Sequence, residues 1–421
     1  MILKNNLISY SFEKLIILVF TVYFFLWSQT LISFDERLLL ISLIPIYFIK
    51  KIEPLNKLLA FNFFLIITFI SLHLLINNFF FEYSLLNNFQ AIVGSSLIAI
   101  IVVLYRTFLL KNLEKIIYFF LSILILFFFI ENIIFDNIYS YKNFDCYNGW
   151  FSHVKLKIFS ENSHFGMMAP AIISYLIFMK IKNNKIKYLN IFFITFLFLF
   201  ISTTMLVGTV ICLTFFLLLK FKLITNFQKI LSILVLLISL ILIISKPQCN
   251  MRLSETIEGL YVNFKSRSLN DPNIKEVWKK DLEGGSLNQS SEVVLNSYDV
   301  SHKSIKYYPF GTGINNYSIS YNKFSSDLSF ATWDVNKEDA SNNFSKITTE
   351  FGIIGLILFF FILRDFFNYN KNLNTNVFFY SIFLTQLLRG SGYFNGGFLL
   401  SIFIILSFIF IKDENAKIKK K

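Results

Sequence analysis

Unbroken apolar runs recur from one end of this chain to the other, and they constrain its fold more than any other feature. Most are about 17 to 22 residues long, enough for a helix to cross a hydrocarbon core about 30 Å thick. Lipid offers no partner to backbone N–H and C=O groups, so only helices and closed barrels span a membrane. A barrel would show alternating segments of about ten residues. Here the runs are continuous, and of 421 residues 55% are hydrophobic and 15% charged. The chain reads as an all-α polytopic membrane protein. Phe, Ile, Asn and Lys are abundant throughout, so single Phe positions carry little weight.

The runs fall at residues 14–31, 38–49, 58–76, 90–110, 116–134, 161–179, 229–245 and 347–363. Residues 188–222 and 377–411 are each too long for one span and hold two, the first pair joined by a tight turn near Ser202-Thr203-Thr204. About twelve transmembrane helices result. One long polar stretch, residues 246–345, separates spans 9 and 10. The chain thus divides into 1–245 with spans 1 to 9, the large loop 246–345, residues 346–411 with spans 10 to 12, and a basic tail at 412–421.

The net charge of +13 raises the question of nucleic acid, and its distribution answers it. Loops on one side, with both termini, hold 22 Lys/Arg and 6 Asp/Glu, while the other side holds 17 and 20. That asymmetry is the positive-inside pattern of a cytoplasmic membrane protein. It places both termini in the cytoplasm and the large loop outside, and no nucleic-acid partner is expected. The first apolar run is long enough to remain as a span, and no small-residue cleavage site follows it. Cys212 lies within a span; Cys146 and Cys249 both fall outside, where a disulfide is permitted.

Four segments carry candidate chemistry. At the outer end of span 6, Glu161 and His164 share a helix face within Phe-Ser-Glu-Asn-Ser-His-Phe-Gly. They read as a capped helix end, as an acid–base pair, or as half of a metal site lacking its second half. Near the end of the loop, Gly311 and Gly313 follow Pro309, with Asn316 and Tyr317 after them. Such a turn is either a plain reversal or an amide cup for an anion. Asn342, Asn343 and Glu350 precede Gly352 and Gly355, whose spacing suits close helix contact. Arg389 stands before Gly390 and Tyr393 in a turn that must lie near the membrane surface. Its guanidinium suits an ion pair with Glu350 or Glu161, or a lipid-linked phosphate. Arg252 and Arg267 in the loop are further phosphate candidates. The loop holds 11 basic and 12 acidic residues, so it forms no basic groove.

Taken together, these segments resemble Wzy-type O-antigen polymerases of bacterial inner membranes, relatives of the O-antigen ligases. The resemblance covers the layout of the whole chain and rests on Glu-x-Ser-His-Phe-Gly at Glu161, Pro-Phe-Gly-Thr-Gly-Ile-Asn-Asn-Tyr at Pro309, Glu-Phe-Gly-Ile-Ile-Gly at Glu350 and Arg-Gly-x-Gly-Tyr-Phe at Arg389. It implies transfer of a growing glycan from undecaprenyl pyrophosphate to a lipid-linked repeat unit, with no metal or other cofactor. It also implies the lipid-linked oligosaccharide as substrate and a chain-length regulator as partner. Arginine would stabilise the departing pyrophosphate, and a carboxylate or histidine would take the acceptor proton. Two departures stand out. Ligases carry a His-Asn pair where this chain has Asn342-Asn343, which favours polymerase. An arginine common upstream of the glycine turn is replaced here by His302, Lys303 and Lys306.

Other readings compete. A glycosyltransferase with catalytic carboxylates in the first outer loop would use Asp35 and Glu36, but it would carry its large polar segment early. A non-enzymatic flippase or transporter would show paired halves or charged midplane residues. An O-antigen ligase shares the layout.

Overall fold

The structure, a computed structural model, describes residues 14–22, 25, 56–81, 85–130, 162–181, 183–244, 289–325, 336–368, 373–390, 392–394 and 397–418. Among them every regular element is a helix. The second expected span, 38–49, lies outside the described residues, as do Glu161, Arg252, Arg267, Cys146 and Cys249.

Among the described residues four helices are long and apolar enough to cross a membrane: Lys57–Phe81, Asn88–Phe129, Thr203–Lys220 and Asn226–Ile243. Shorter apolar helices occupy His164–Phe178, Ile353–Arg364, Asn376–Leu388 and Phe398–Ile411. The chain is a multi-pass membrane protein in this architecture. Helix α1 (Lys57–Phe81) turns Phe61, Phe64, Leu65 and Leu72 outward. An apolar face of that size is stable where lipid covers it.

Helix α2 (Leu85–Phe129) is helical over 45 residues. Run straight it would measure about 67 Å, more than twice the hydrocarbon thickness. Its contacts show that it bends back. Gly94 lies against Phe394, and Arg106 donates to Ser407 at 2.6 Å, so this half descends from the 394 end. Tyr118 then donates to Asn190 at 2.7 Å, and Phe128 stacks edge-on against Phe200, which itself meets Phe165. The reversal lies between Arg106 and Tyr118, around the basic positions 106, 111 and 115. Asn112 Nδ2 donates to the Phe108 carbonyl at 3.1 Å in this stretch.

The centre of the molecule is a short buried helix. Helix α3 (Asn162–Gly166) and α4 (Ala169–Phe178) are separated by Met167-Met168, with Pro170 in the first turn of α4 where its missing N–H costs nothing. All ten residues of α4 are buried. Helix α5 (Asn184–Leu197) starts on an Asn183 cap and ends in a 3-10 turn, Phe198–Phe200. Ser202 then caps α6 (Thr203–Lys220), accepting from the Met205 amide at 3.2 Å. The break in 188–222 therefore sits at the serine-threonine turn. Gly166 is required there, because a Cβ would strike the Ser202 hydroxyl and come within 2.9 Å of the Met205 amide. Helix α7 (Asn226–Ile244) packs on α6.

The described residues of the polar stretch include the helices α8 (Gln289–Tyr307) and α9 (Tyr317–Phe324). They share a small core of Val300, Tyr317, Tyr321, Phe324 and Ala340. The expected span 347–363 is not one helix. It breaks at Gly352 (φ +58°) into α10 (Asn343–Phe351) and α11 (Ile353–Asn368). Lys346, Thr348, Thr349 and Glu350 make α10 polar, so the apolar segment starts only at Ile353. Helices α12 (Leu373–Leu388) and α13 (Phe398–Ile418) follow, joined by the turn that holds Arg389. Helix α12 packs on α4 and α6, and Gly208 marks the crossing: a Cβ there would lie 2.8 Å from both the Pro170 ring and the Thr385 methyl.

Candidate functional site

The helix break at Gly352 leaves backbone groups without intrahelical partners. The glycine turn supplies them. Thr312 and Gly313 amides donate to the Thr349 and Glu350 carbonyls at 3.1 and 2.9 Å, and the Ile353 amide donates to the Pro309 carbonyl at 2.8 Å. The two backbones touch. Gly311 has φ +84°, and a Cβ on it would collide with the Glu350 carbonyl; a Cβ on Gly352 would collide with that of Pro309. The Thr312 and Gly313 amides thus go to helix carbonyls. Gly352, expected to serve helix packing, serves this reversal instead, while Gly355 packs on the Ile347 backbone.

Glu350 is fully buried beneath the turn. Its Oε2 accepts from the Asn315 amide at 2.9 Å and the Tyr393 hydroxyl at 2.5 Å. Its Oε1 accepts from the Tyr317 amide at 3.3 Å and lies 3.6 Å from Lys346 Nζ. Burial pushes the Glu350 carboxyl up from the ordinary carboxylate range, against the pull of the Lys346 ammonium, the Tyr393 hydroxyl and the two amides. Burial, then the adjoining carboxylate, holds the Tyr393 phenol well above its usual value. The cation beside Glu350 is Lys346, one turn back on α10, where the sequence suggested Arg389.

Lys346 also donates to the Glu338 carbonyl, and its Nζ lies 3.9 Å from Asp339, whose side chain is 51% exposed. Asp339 Oδ1 would meet a Cβ on Gly392 at 2.8 Å, so it sits directly on the turn after Arg389. A polar line therefore runs from the surface at Asp339 through Lys346 to Glu350 and Tyr393.

The remaining candidates divide by place. Asn342 caps α10, accepting from the Ser345 amide at 2.7 Å and donating to Ser297 at 2.5 Å. Asn343 Nδ2 reaches Gln386 at 3.4 Å. Gly390 donates to the Ser341 carbonyl at 3.0 Å, and a Cβ on it would lie 2.7 Å from Asn343 Nδ2. The Arg389 turn is thereby pinned to the first turn of α10, and Arg389 itself is half-buried. Asn316 bonds the Thr312 carbonyl at 3.2 Å and accepts from Asn88 on α2 at 3.0 Å. Tyr317 gives Glu350 its amide and buries its ring. His164 is half-buried on α3, against α6. It stands six residues before Pro170, and Arg389 four after Thr385, so both lie at the same end of the α4–α12 crossing.

Sequence reasoning missed three residues. Lys346, just before the expected span 347–363, carries no role in the sequence reading, although its i, i+4 spacing from Glu350 is a readable helix pairing. Asp339 carries no local signal. His73 stands alone in an apolar run; its Nε2 lies 2.7 Å from the Phe310 carbonyl, 237 positions away. Among the described residues no group of three His, Cys, Asp or Glu is gathered.

A bundle of membrane helices with a buried polar lock at one end, closed by the last part of a long polar segment, defines the class of this protein. Within it, residues 188–360 are similar to the O-antigen ligase family. That match runs from α5 into α11 and includes the glycine turn, Lys346 and Glu350, but stops short of Arg389 and Tyr393. The comparisons with curated proteins and with solved structures gave no match.

Proposed function

We propose that this chain polymerises surface-polysaccharide repeat units at the periplasmic face of a bacterial inner membrane, both termini being cytoplasmic. The acceptor hydroxyl of one lipid-linked repeat unit attacks the anomeric carbon of another glycan. The new glycosidic C–O bond forms as the bond to undecaprenyl pyrophosphate breaks, and the pyrophosphate departs on its lipid with the electron pair. The acceptor proton passes to a base. One observation carries the reading: the segment similar to O-antigen ligases folds its glycine turn onto Glu350, and Tyr393 ties the Arg389 turn to that same carboxylate.

In this reading Arg389 grips the pyrophosphate, with Arg252 and Arg267 as further contacts from the loop. His164 with Glu161 forms the acid–base pair. Glu350 has both carboxylate oxygens engaged within the protein, so it holds the site together, as do Gly311, Gly313, Asn316, Tyr317 and Asn342. Asn343 and Tyr393 line the Arg389 turn. A chain-length regulator is the expected partner.

A second reading, the ligase, is supported by the description of the matching family. Asn342-Asn343 in place of a His-Asn pair favours the polymerase. Surface glycan from a deletion strain separates them on a gel. Loss of the polymerase leaves single repeat units on the acceptor lipid. Loss of a ligase leaves long polymer on its carrier. A normal ladder from the deletion would sink both, and full rescue by Arg389→Ala would remove that residue from the site.

A further inference from the structure

An ionisable side chain on a membrane-spanning helix is costly and is kept for a reason. His73 lies on α1, eight residues before its end, and is buried. Its Nε2 lies 2.7 Å from the Phe310 carbonyl oxygen, which can only accept, so Nε2 carries the hydrogen. Asn77 Nδ2, 3.2 Å from the same nitrogen, is also a donor; its partner is the His73 carbonyl at 2.9 Å. The other ring nitrogen, Nδ1, is buried with no hydrogen-bond partner among the described residues. The ring stacks on Phe351 at 5.3 Å and 23°, and on Phe69 at 5.9 Å and 27°.

These contacts fall on both halves of the lock. Phe310 precedes Gly311, and Phe351 follows Glu350. The peptide joining Phe310 to Gly311 is planar. Holding its carbonyl therefore fixes the rotation of that plane, and with it the positive φ that lets Gly311 lie flat on the Glu350 backbone. Four residues after Gly311, the Asn315 amide reaches the Glu350 carboxylate. A ring with one nitrogen satisfied and the other orphaned is arranged for the satisfied one.

We propose that His73 is a positioning residue for the transfer site, its Nε2–H orienting the glycine turn from a membrane helix so that the turn closes on Glu350 and sets the Arg389 turn through Tyr393. This rests on the proposed function for its activity readout, and on geometry alone for its second readout.

The test separates donor from ring. His73→Gln keeps an N–H donor at similar reach and loses the aromatic stack. His73→Phe keeps the stack and loses the donor. In the deletion strain, at equal membrane abundance, H73Q should restore at least half the wild-type polymer, and H73F should lower it at least tenfold. Hydrogen–deuterium exchange of residues 309–317 in the purified protein is read alongside. H73F should raise exchange there at least tenfold, and H73Q should leave it near wild type. If H73F does not accumulate, His73→Met takes its place as a donor-free filler. A wild-type exchange pattern in the donor-free variant overturns the proposal, and so does equal disruption by H73Q. If the deletion itself leaves a normal ladder, the proposed function fails, and the exchange data alone decide the role of His73.

Discussion

Lys346 sets its ammonium 3.6 Å from the Glu350 carboxylate, one turn along the same nine-residue helix, with both side chains buried. Removing one member of a buried pair leaves the other charge uncompensated, at about 3 to 5 kcal/mol. Lys346→Met alone should therefore lower the melting temperature of the solubilised protein more than the double variant Lys346→Met/Glu350→Gln does. Additive losses in the double-mutant cycle would show that the pair is not coupled.

The pH dependence has a definite sign. Glu350 holds its proton more tightly folded than unfolded, because burial raises its pKa above the ordinary 4.5. Its contribution to stability is then fully present below that ordinary value and is lost as pH rises through the raised folded value. Glu350→Gln does not titrate. The melting-temperature difference between wild type and E350Q should thus move against wild type as pH climbs from about 4 to about 8. A difference flat across that range would refute the raised pKa.

Tyr393→Phe removes one of the groups that pull the Glu350 carboxyl down. It should cost about 1.5 to 3 kcal/mol, the range for a hydrogen bond to a charged group. It should also extend the pH window of the preceding comparison upward. Calorimetry of Y393F against wild type at two pH values checks both effects.

Gly208 lets three helices cross, and the space a side chain would need is held by Pro170 and Thr385. Gly208→Leu should lower membrane abundance several-fold, since overpacking typically costs about 1 to 3 kcal/mol and here meets a proline ring that cannot yield. Thr385→Ala, by clearing part of that space, should restore some of the loss. Immunoblots of membrane fractions would measure this.

Local signals in the sequence located much of the frame. The apolar run at 229–245 is α7 to within three residues, the break in 188–222 falls on Ser202, and the pair in 377–411 is joined through the Arg389 turn. The segments at Pro309, Glu350 and Arg389 meet. Their meeting is a tertiary fact, carried by backbone bonds between residues some forty positions apart, which no periodicity encodes. Helix α8 falls inside the expected loop because its polar, amphipathic pattern lacks an apolar run. The break at Gly352 was hidden because Ile347 and Ile353 continue one hydrophobic count across it. His73 offered only its oddity among apolar neighbours; Phe310 could not be named as its partner.

The facing glycines bear on how this sequence can drift. Gly311 and Gly352 each sit against the other segment's carbonyl, and the bonds immediately beside them are main chain to main chain. At the glycines themselves the seam involves no side chain. Phe310, 67% exposed at the tip, is free to change its character without opening the closure. The two glycines have no such freedom. Either one gaining a methyl group would push the segments apart, so among diverged copies they should persist or vanish as a pair.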